Sequence, residues 1–193
     1  GTKSSIIFFI IACFVIIPAI AAPAAEGYVL QSVKNQVAIM DIAGVEKDGS
    51  QGAELDISDT VRTGANSVAV IATPRGDIIT VDSLTEFSIE KNEGSRNSSR
   101  QTFSLTGGKI SAQVQKLGRG STFEVNTPVA TAGVRGTIFG AEVRGGKTTF
   151  RCFEGSLVVE ANGQTAVVEP MSEVTVDPSG EIVTQKISNA QLK

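Results

Sequence analysis

Histidine and tryptophan are absent from the 193 residues. The missing histidine removes the commonest general base and the commonest metal ligand, so most triads and zinc sites drop out before any motif is sought. Cysteine is nearly absent as well. Cys13 and Cys152 are the two, and once a leader carrying Cys13 is removed no internal disulfide is available. Basic charge is not in excess: Lys3 is the only charged residue before Glu26, and beyond Ala25 sixteen basic residues stand against twenty acidic ones. That mild acidity offers no clustered basic face and argues against nucleic acid as a partner. What is present is apolar, 41% of the chain, enough for one domain with a buried core.

The long apolar run lies at the start. Ile6 to Ile17 is followed by Pro18 and a stretch of small residues, the layout of a secretory signal peptide over residues 1–25. Cleavage fits after Ala21 or after Ala24. Two other readings stay open. Residues 6–25 carry no charge and have about the length that spans a bilayer, so an uncleaved anchor is the rival. Ile10 to Cys13, "IIAC", also resembles a lipobox, although apolar sequence continues beyond it. The expected location is the periplasm or the exterior of a bacterial cell, with membrane contact only through an uncleaved leader.

Beyond residue 25 the pattern is period-two alternation of valine, isoleucine, threonine and phenylalanine, interrupted by glycine, proline, asparagine or aspartate. About eleven short strands are expected, over residues 67–73, 77–82, 86–91, 101–106, 109–115, 121–127, 137–143, 148–154, 156–161, 165–169 and 173–176. The class is all-β, a wound β-roll or solenoid-like fold or a sandwich, with no substantial helix. Asn162-Gly163 suits a type I′ hairpin turn, and Gly107-Gly108 and Gly145-Gly146 supply tight reversals. Glu93 to Arg100 reads as an exposed loop. Ile182 to Lys193 is the one segment with some helical character. An echo of "VRTG" at Val61 and "VRGT" at Val134, 73 residues apart, favours a wound fold, in which six phenylalanines and Tyr28 close a core built mainly of valine and isoleucine.

"SDTVRTGANSVAVIATPRGDIITVDSLTEFSI", "LTGGKI" and "FEVNTPVATAGVRGTIFGAEV" followed by "FRCFEGSLVV" resemble the FecR-type domain, most specifically through the Thr-Pro to Val-Arg-Gly-Thr-x-Phe segment. The resemblance runs from Tyr28 to Val176 and departs at Ser58-Asp59 and at the added Pro-Arg of Thr73 to Gly76. It implies a domain over residues 26–177 and a tail over 178–193. Well-known members of the family join a cytoplasmic anti-sigma segment, a membrane helix and a periplasmic domain that receives a signal from an outer-membrane receptor. For this sequence the expectation is an exported FecR-type domain standing alone. It would act by interaction with an envelope protein or polymer, without catalysis and with no cofactor or metal.

Seven residues carry that motif-based expectation: Arg62, Gly64, Thr127, Pro128, Arg135, Gly136 and Thr137. At a β-corner Gly136 permits a backbone closed to other residues, and Thr137 bonds the turn. Arg135 is expected to tie carbonyls or a carboxylate of a neighbouring coil, with an anionic ligand or a partner's carboxylate as the alternative. Arg62 has the same two readings, with Asp56 and Asp59 as its partners. The competing readings are an envelope polysaccharide-binding or polysaccharide-acting protein using surface carboxylates, with Asp77, Asp82, Glu86 and Glu90 as the acids for catalysis, cell adhesion through Arg75-Gly76-Asp77, cross-linking through Cys152, and a scaffold with no specific ligand.

Overall fold

The computed structural model describes residues 27–95, 98–116 and 118–187, and all regular structure among them is β. The leader expected over residues 1–25 lies outside the described residues. Seventeen strands arrange in two layers. The first, layer A, runs β4 (Glu54–Leu55), β1 (Tyr28–Lys34), β6 (Val68–Ala72), β7 (Ile78–Val81), β9 (Ser98–Gln113), β12 (Ile138–Arg144), β13 (Lys147–Glu154), β16 (Ser172–Val176) and β17 (Ile182–Lys186). Layer B runs β3 (Glu46–Asp48), β2 (Val37–Met40), β5 (Thr60–Thr63), β8 (Glu86–Ser95), β9 again, β10 (Thr122–Asn126), β11 (Thr131–Val134), β14 (Leu157–Ala161) and β15 (Gln164–Val168).

The chain builds these layers by alternation. Hairpin β6-β7 lies in A, β8-β9 in B, β10-β11 in B, β12-β13 in A, β14-β15 in B and β16-β17 in A. The result is a wound, sandwich-like β-roll. β9 joins the layers: its first half pairs with β8 and β10 in B, and its second half with β7 and β12 in A. The crossing falls at Gly107-Gly108, which the sequence suggested as a reversal. Gly108 has φ +89°, and a Cβ there would stand 2.2 Å from Thr85 Oγ1 and 2.5 Å from Thr85 Cα, so the strand bends against the β7-β8 corner and continues.

Other joints agree with their residues. Asn162 and Gly163 both have positive φ between β14 and β15, as do Gly145 and Gly146 between β12 and β13, the requirement of a type I′ turn. Two expectations are corrected. Glu93 to Ser95 and Ser98 to Arg100 are not open loop but continue the β8-β9 ladder, with Glu93 opposite Arg100 and Gly94 opposite Ser99. Ile182 to Lys186 is strand β17 on β16 instead of the start of a helix; residues 188–193 lie outside the described residues.

The echo at Val61 and Val134 has a structural counterpart. After β5 the chain makes a layer-A hairpin and returns as β8 to pair with β5; after β11 it makes a layer-A hairpin and returns as β14 to pair with β11. Between the layers the alternating residues form one core. Phe103 is at its centre, stacked on Phe87 at 5.4 Å, tilted on Phe123 at 4.8 Å and met edge-on by Tyr28 at 6.0 Å; Phe123 in turn meets Phe139 at 6.2 Å. Five phenylalanines are fully buried, each stabilising the fold by about 1.5–3 kcal/mol through area removed from water.

Candidate functional site

The Thr127 to Thr137 segment forms the β10-β11 hairpin and the corner that follows it. Thr127 closes the turn: its N–H and its hydroxyl both reach the carbonyl of Ala130, each at 2.8 Å, and it accepts the Thr148 hydroxyl at 2.9 Å. Pro128 is exposed at the tip, where its fixed φ suits the second position of a turn. Gly136 has φ +62°. Thr137 is buried and donates its hydroxyl to the carbonyl of Ser156 at 3.0 Å, tying the β11-β12 corner to the β13-β14 corner. Gly155, in that second corner, has φ +82°, and a Cβ would stand 2.6 Å from the Gly136 carbonyl oxygen.

Arg135 does not do what its surroundings suggested. Its side chain is exposed, and among the described residues it makes no hydrogen bond or ion pair. The glycine and threonine beside it hold the corner, and the arginine is left to solvent. Arg62 is paired, though not with Asp56 or Asp59. Its Nε donates to Glu86 Oε2 at 2.8 Å across the β5-β8 ladder, where the two residues are register partners, and Glu46 lies 4.0 Å from its Nη1. Asp59 instead accepts the Asp56 N–H at 2.9 Å. Gly64 donates its N–H to Gln36 and accepts from Leu84.

The four acids do not converge. Asp77 is fully buried: its Oδ2 accepts the Thr73 hydroxyl at 2.9 Å, and its Oδ1 accepts the Gln115 N–H at 2.8 Å and Arg75 Nη2 at 3.4 Å. Asp82 pairs with Lys109 at 3.6 Å, Glu86 with Arg62, and Glu90 accepts from Asn126 at 2.9 Å. Arg75 is tucked in beside Asp77, its side chain 8% exposed, with Nη1 reaching Ser99 Oγ at 3.4 Å. The two charged side chains of the Arg-Gly-Asp tripeptide are therefore enclosed, with only Gly76 exposed, and the adhesion reading fails on burial. Tyr28 lies in the same region. Burial, aided by the Asp77 charge, holds its phenol well above the usual range, so it stays a neutral hydroxyl. Cys152 is fully buried, burial raises its thiol, and Sγ–H points to the carbonyl of Gly155 at 3.5 Å, which leaves nothing accessible to cross-link.

No catalytic constellation assembles among the described residues, and the sheet edges stand out. At the N-terminal end layer B finishes on β3, whose Glu-Lys-Asp is fully charged and exposed, and layer A finishes on the two-residue β4; charge and shortness are the usual ways to keep an edge from pairing. The C-terminal end is different. β17 is five residues long, and its ladder with β16 is bracketed by Ile187 N–H to the Met171 carbonyl and Asp177 N–H to the Glu181 carbonyl. Odd-numbered residues of β17 thus bond to β16. Ile182, Thr184 and Lys186 direct their main-chain N–H and C=O outward, and no described residue pairs with them. Val183 stands 53% exposed on the outer face.

A family model described as FecR protein matches residues 59–158, from just before β5, which carries the first Val-Arg, into β14. The chain belongs to the FecR family. Two crystal structures of a protein from Parabacteroides distasonis ATCC 8503, titled an anti-sigma factor by assignment, share the fold at TM-score 0.60 and 15% identity. The likeness covers 69% of this chain and 62% of that one, so this chain spans less than two thirds of that protein. No curated protein matches. A FecR-type domain is a non-catalytic envelope module concerned with binding and signal transduction, and in the family it forms the periplasmic portion of membrane-anchored proteins.

Proposed function

We propose that this FecR-type domain is an exported binding module of the bacterial envelope that takes up an extended protein segment along β17, as an added strand of layer A. One observation carries the reading: the outward N–H and C=O groups of Ile182, Thr184 and Lys186 on an edge that is neither fully charged like β3 nor short like β4, Lys186 at its end being its one charged residue. Main-chain pairing supplies affinity in such additions and alternate side chains supply selectivity. Here Val183 and Gln185 are on one face and Thr184 and Lys186 on the other, so an apolar or polar segment with a carboxylate near Lys186 fits best. The leader over residues 1–25 delivers the domain to the periplasm, whether it is cut away or kept as an anchor. A signalling role, in which the captured segment reports a receptor's state, rests on the family alone.

Thr184→Pro tests this. It removes the central outward N–H while leaving the β16 side untouched, because proline is tolerated where a strand's N–H faces solvent. Capture of an envelope protein by the wild-type chain, lost in Thr184→Pro at unchanged Tm, is expected. Equal capture by both chains would show that the edge is not the contact.

A further inference from the structure

On the outer face of layer A, away from the β17 edge, a depression of about 380 Å³ is lined by Asp82, Lys109, Ser111, Gly140, Arg151 and Phe153. Three features of the backbone make it. Gly140 lies opposite Arg151 in the β12-β13 ladder and opposite Ser111 in the β9-β12 ladder, so a position that should carry an outward side chain in mid-sheet carries none. The register of β12 and β13 then slips: Phe139 pairs with Cys152 but Ile138 with Glu154, leaving Phe153 as the extra residue. Bulges re-aim side chains, and this one brings the Phe153 ring beside the gap, 3.7 Å from where a Gly140 Cβ would stand. Phe153 is the phenylalanine that the core does not enclose; the other five of the domain are fully buried.

The polar groups around this floor are held in place yet have capacity to spare. Arg151 donates Nε to Glu173 at 2.8 Å and Nη1 to Glu142 at 3.1 Å, which fixes the guanidinium plane, and its Nη2 has no partner among the described residues. Burial works against its charge, but the hydrogen bonds to Glu142 and Glu173 and the charges of those two carboxylates together outweigh burial, so it stays cationic. Ser111 Oγ has no partner among the described residues. Lys109 and Asp82 form a loose pair, 3.6 Å apart and about half exposed, so each can turn to a ligand. Donors and one acceptor therefore ring a small apolar surface, with no net positive charge to favour an anion: Lys109 and Arg151 face Asp82, Glu142 and Glu173.

We propose that this depression is a binding site for a neutral pyranose saccharide. A sugar ring has an apolar C–H face and an equatorial belt of hydroxyls that both donate and accept. Phe153 meets the first requirement and the Asp82, Lys109, Ser111 and Arg151 groups meet the second. Neither an anionic ligand, which the three carboxylates would repel, nor an apolar one, which the ring of polar groups would leave poorly covered, matches the lining as well.

The test uses the mature chain and two probes, oligomers of N-acetylglucosamine and oligomers of glucose, titrated by calorimetry and by ligand-observed NMR. The expected result is saturable binding of at least one series. Gly140→Val, which fills the floor in a residue suited to a strand, should weaken that binding at least tenfold, as should Phe153→Ala. Tm is followed for both, and Gly140→Ala, whose methyl meets only ordinary contacts at 3.6 and 3.7 Å, serves as the milder filling variant if valine proves destabilising. Absence of binding by the wild-type chain to both series overturns the proposal. So does binding that Gly140→Ala, Gly140→Val and Phe153→Ala all leave unchanged. Either failure leaves the β17 reading standing, because Thr184→Pro tests a different surface.

Discussion

Asp77→Ala removes the carboxylate that the interior of this sandwich is built around at one end. In the native fold it accepts from Thr73, Gln115 and Arg75, at 2.8 to 3.4 Å, with no exposure to water. After truncation the Arg75 guanidinium remains 92% enclosed with Ser99 as its surviving side-chain partner, and the Gln115 N–H has lost its acceptor. Leaving one member of a buried pair without the other costs about 3–5 kcal/mol, chiefly the desolvation of the stranded charge. In a domain of this size each kcal/mol lowers Tm by roughly 2–4 °C, so a fall of roughly 6–20 °C is expected by calorimetry. The double variant Arg75→Ala/Asp77→Ala should lose less than the sum of the two single changes, because the second substitution removes the stranded charge. A fall below about 2 °C for Asp77→Ala, or strict additivity in the cycle, would show that the pair is not the closure of the core.

Arg135→Ala should leave Tm within about 1–2 °C of wild type, since an exposed side chain without partners contributes within about 0.5 kcal/mol; a larger fall would mean that the arginine does hold the corner. Gly155→Ala, in the next corner, should destabilise by more than about 2 kcal/mol, because its Cβ would both demand φ +82° and meet the Gly136 carbonyl oxygen at 2.6 Å; urea unfolding reads the difference.

The β class, the hairpins at Asn162-Gly163 and Gly145-Gly146, and the two-coil echo were legible because each rests on local chemistry: alternation of branched residues, or paired positive φ. Gly107-Gly108 shows where local chemistry ends. A glycine that turns a chain back and one that bends a strand from one layer into the other need the same φ, and only the contact of Gly108 with Thr85, far along the chain, distinguishes them. Strands β2 to β5 leave no pattern in the sequence because they are two to four residues long and separated by glycines and charges, too short for period two to declare itself. Pairing at a distance misled twice. Arg62 has Asp59 three residues away, yet its partner Glu86 is brought beside it by the β5-β8 register. Asp77 and Asp82 share strand β7's neighbourhood in sequence, and the fold buries one and leaves the other about half exposed on the outer face. The depression at Gly140 was invisible because it depends on a bulge, and one extra residue in a ladder leaves no mark in either strand alone.

The edge is the claim on which the functional account turns, and site-specific photo-cross-linking in intact cells measures it most directly. A photoreactive residue at position 183, on β17, should yield an adduct with an envelope protein, and Thr184→Pro in the same chain should abolish it, while the same probe at position 47, on the charged edge β3, gives none. Adducts from position 47, or an adduct at 183 that Thr184→Pro leaves intact, would contradict strand addition at β17.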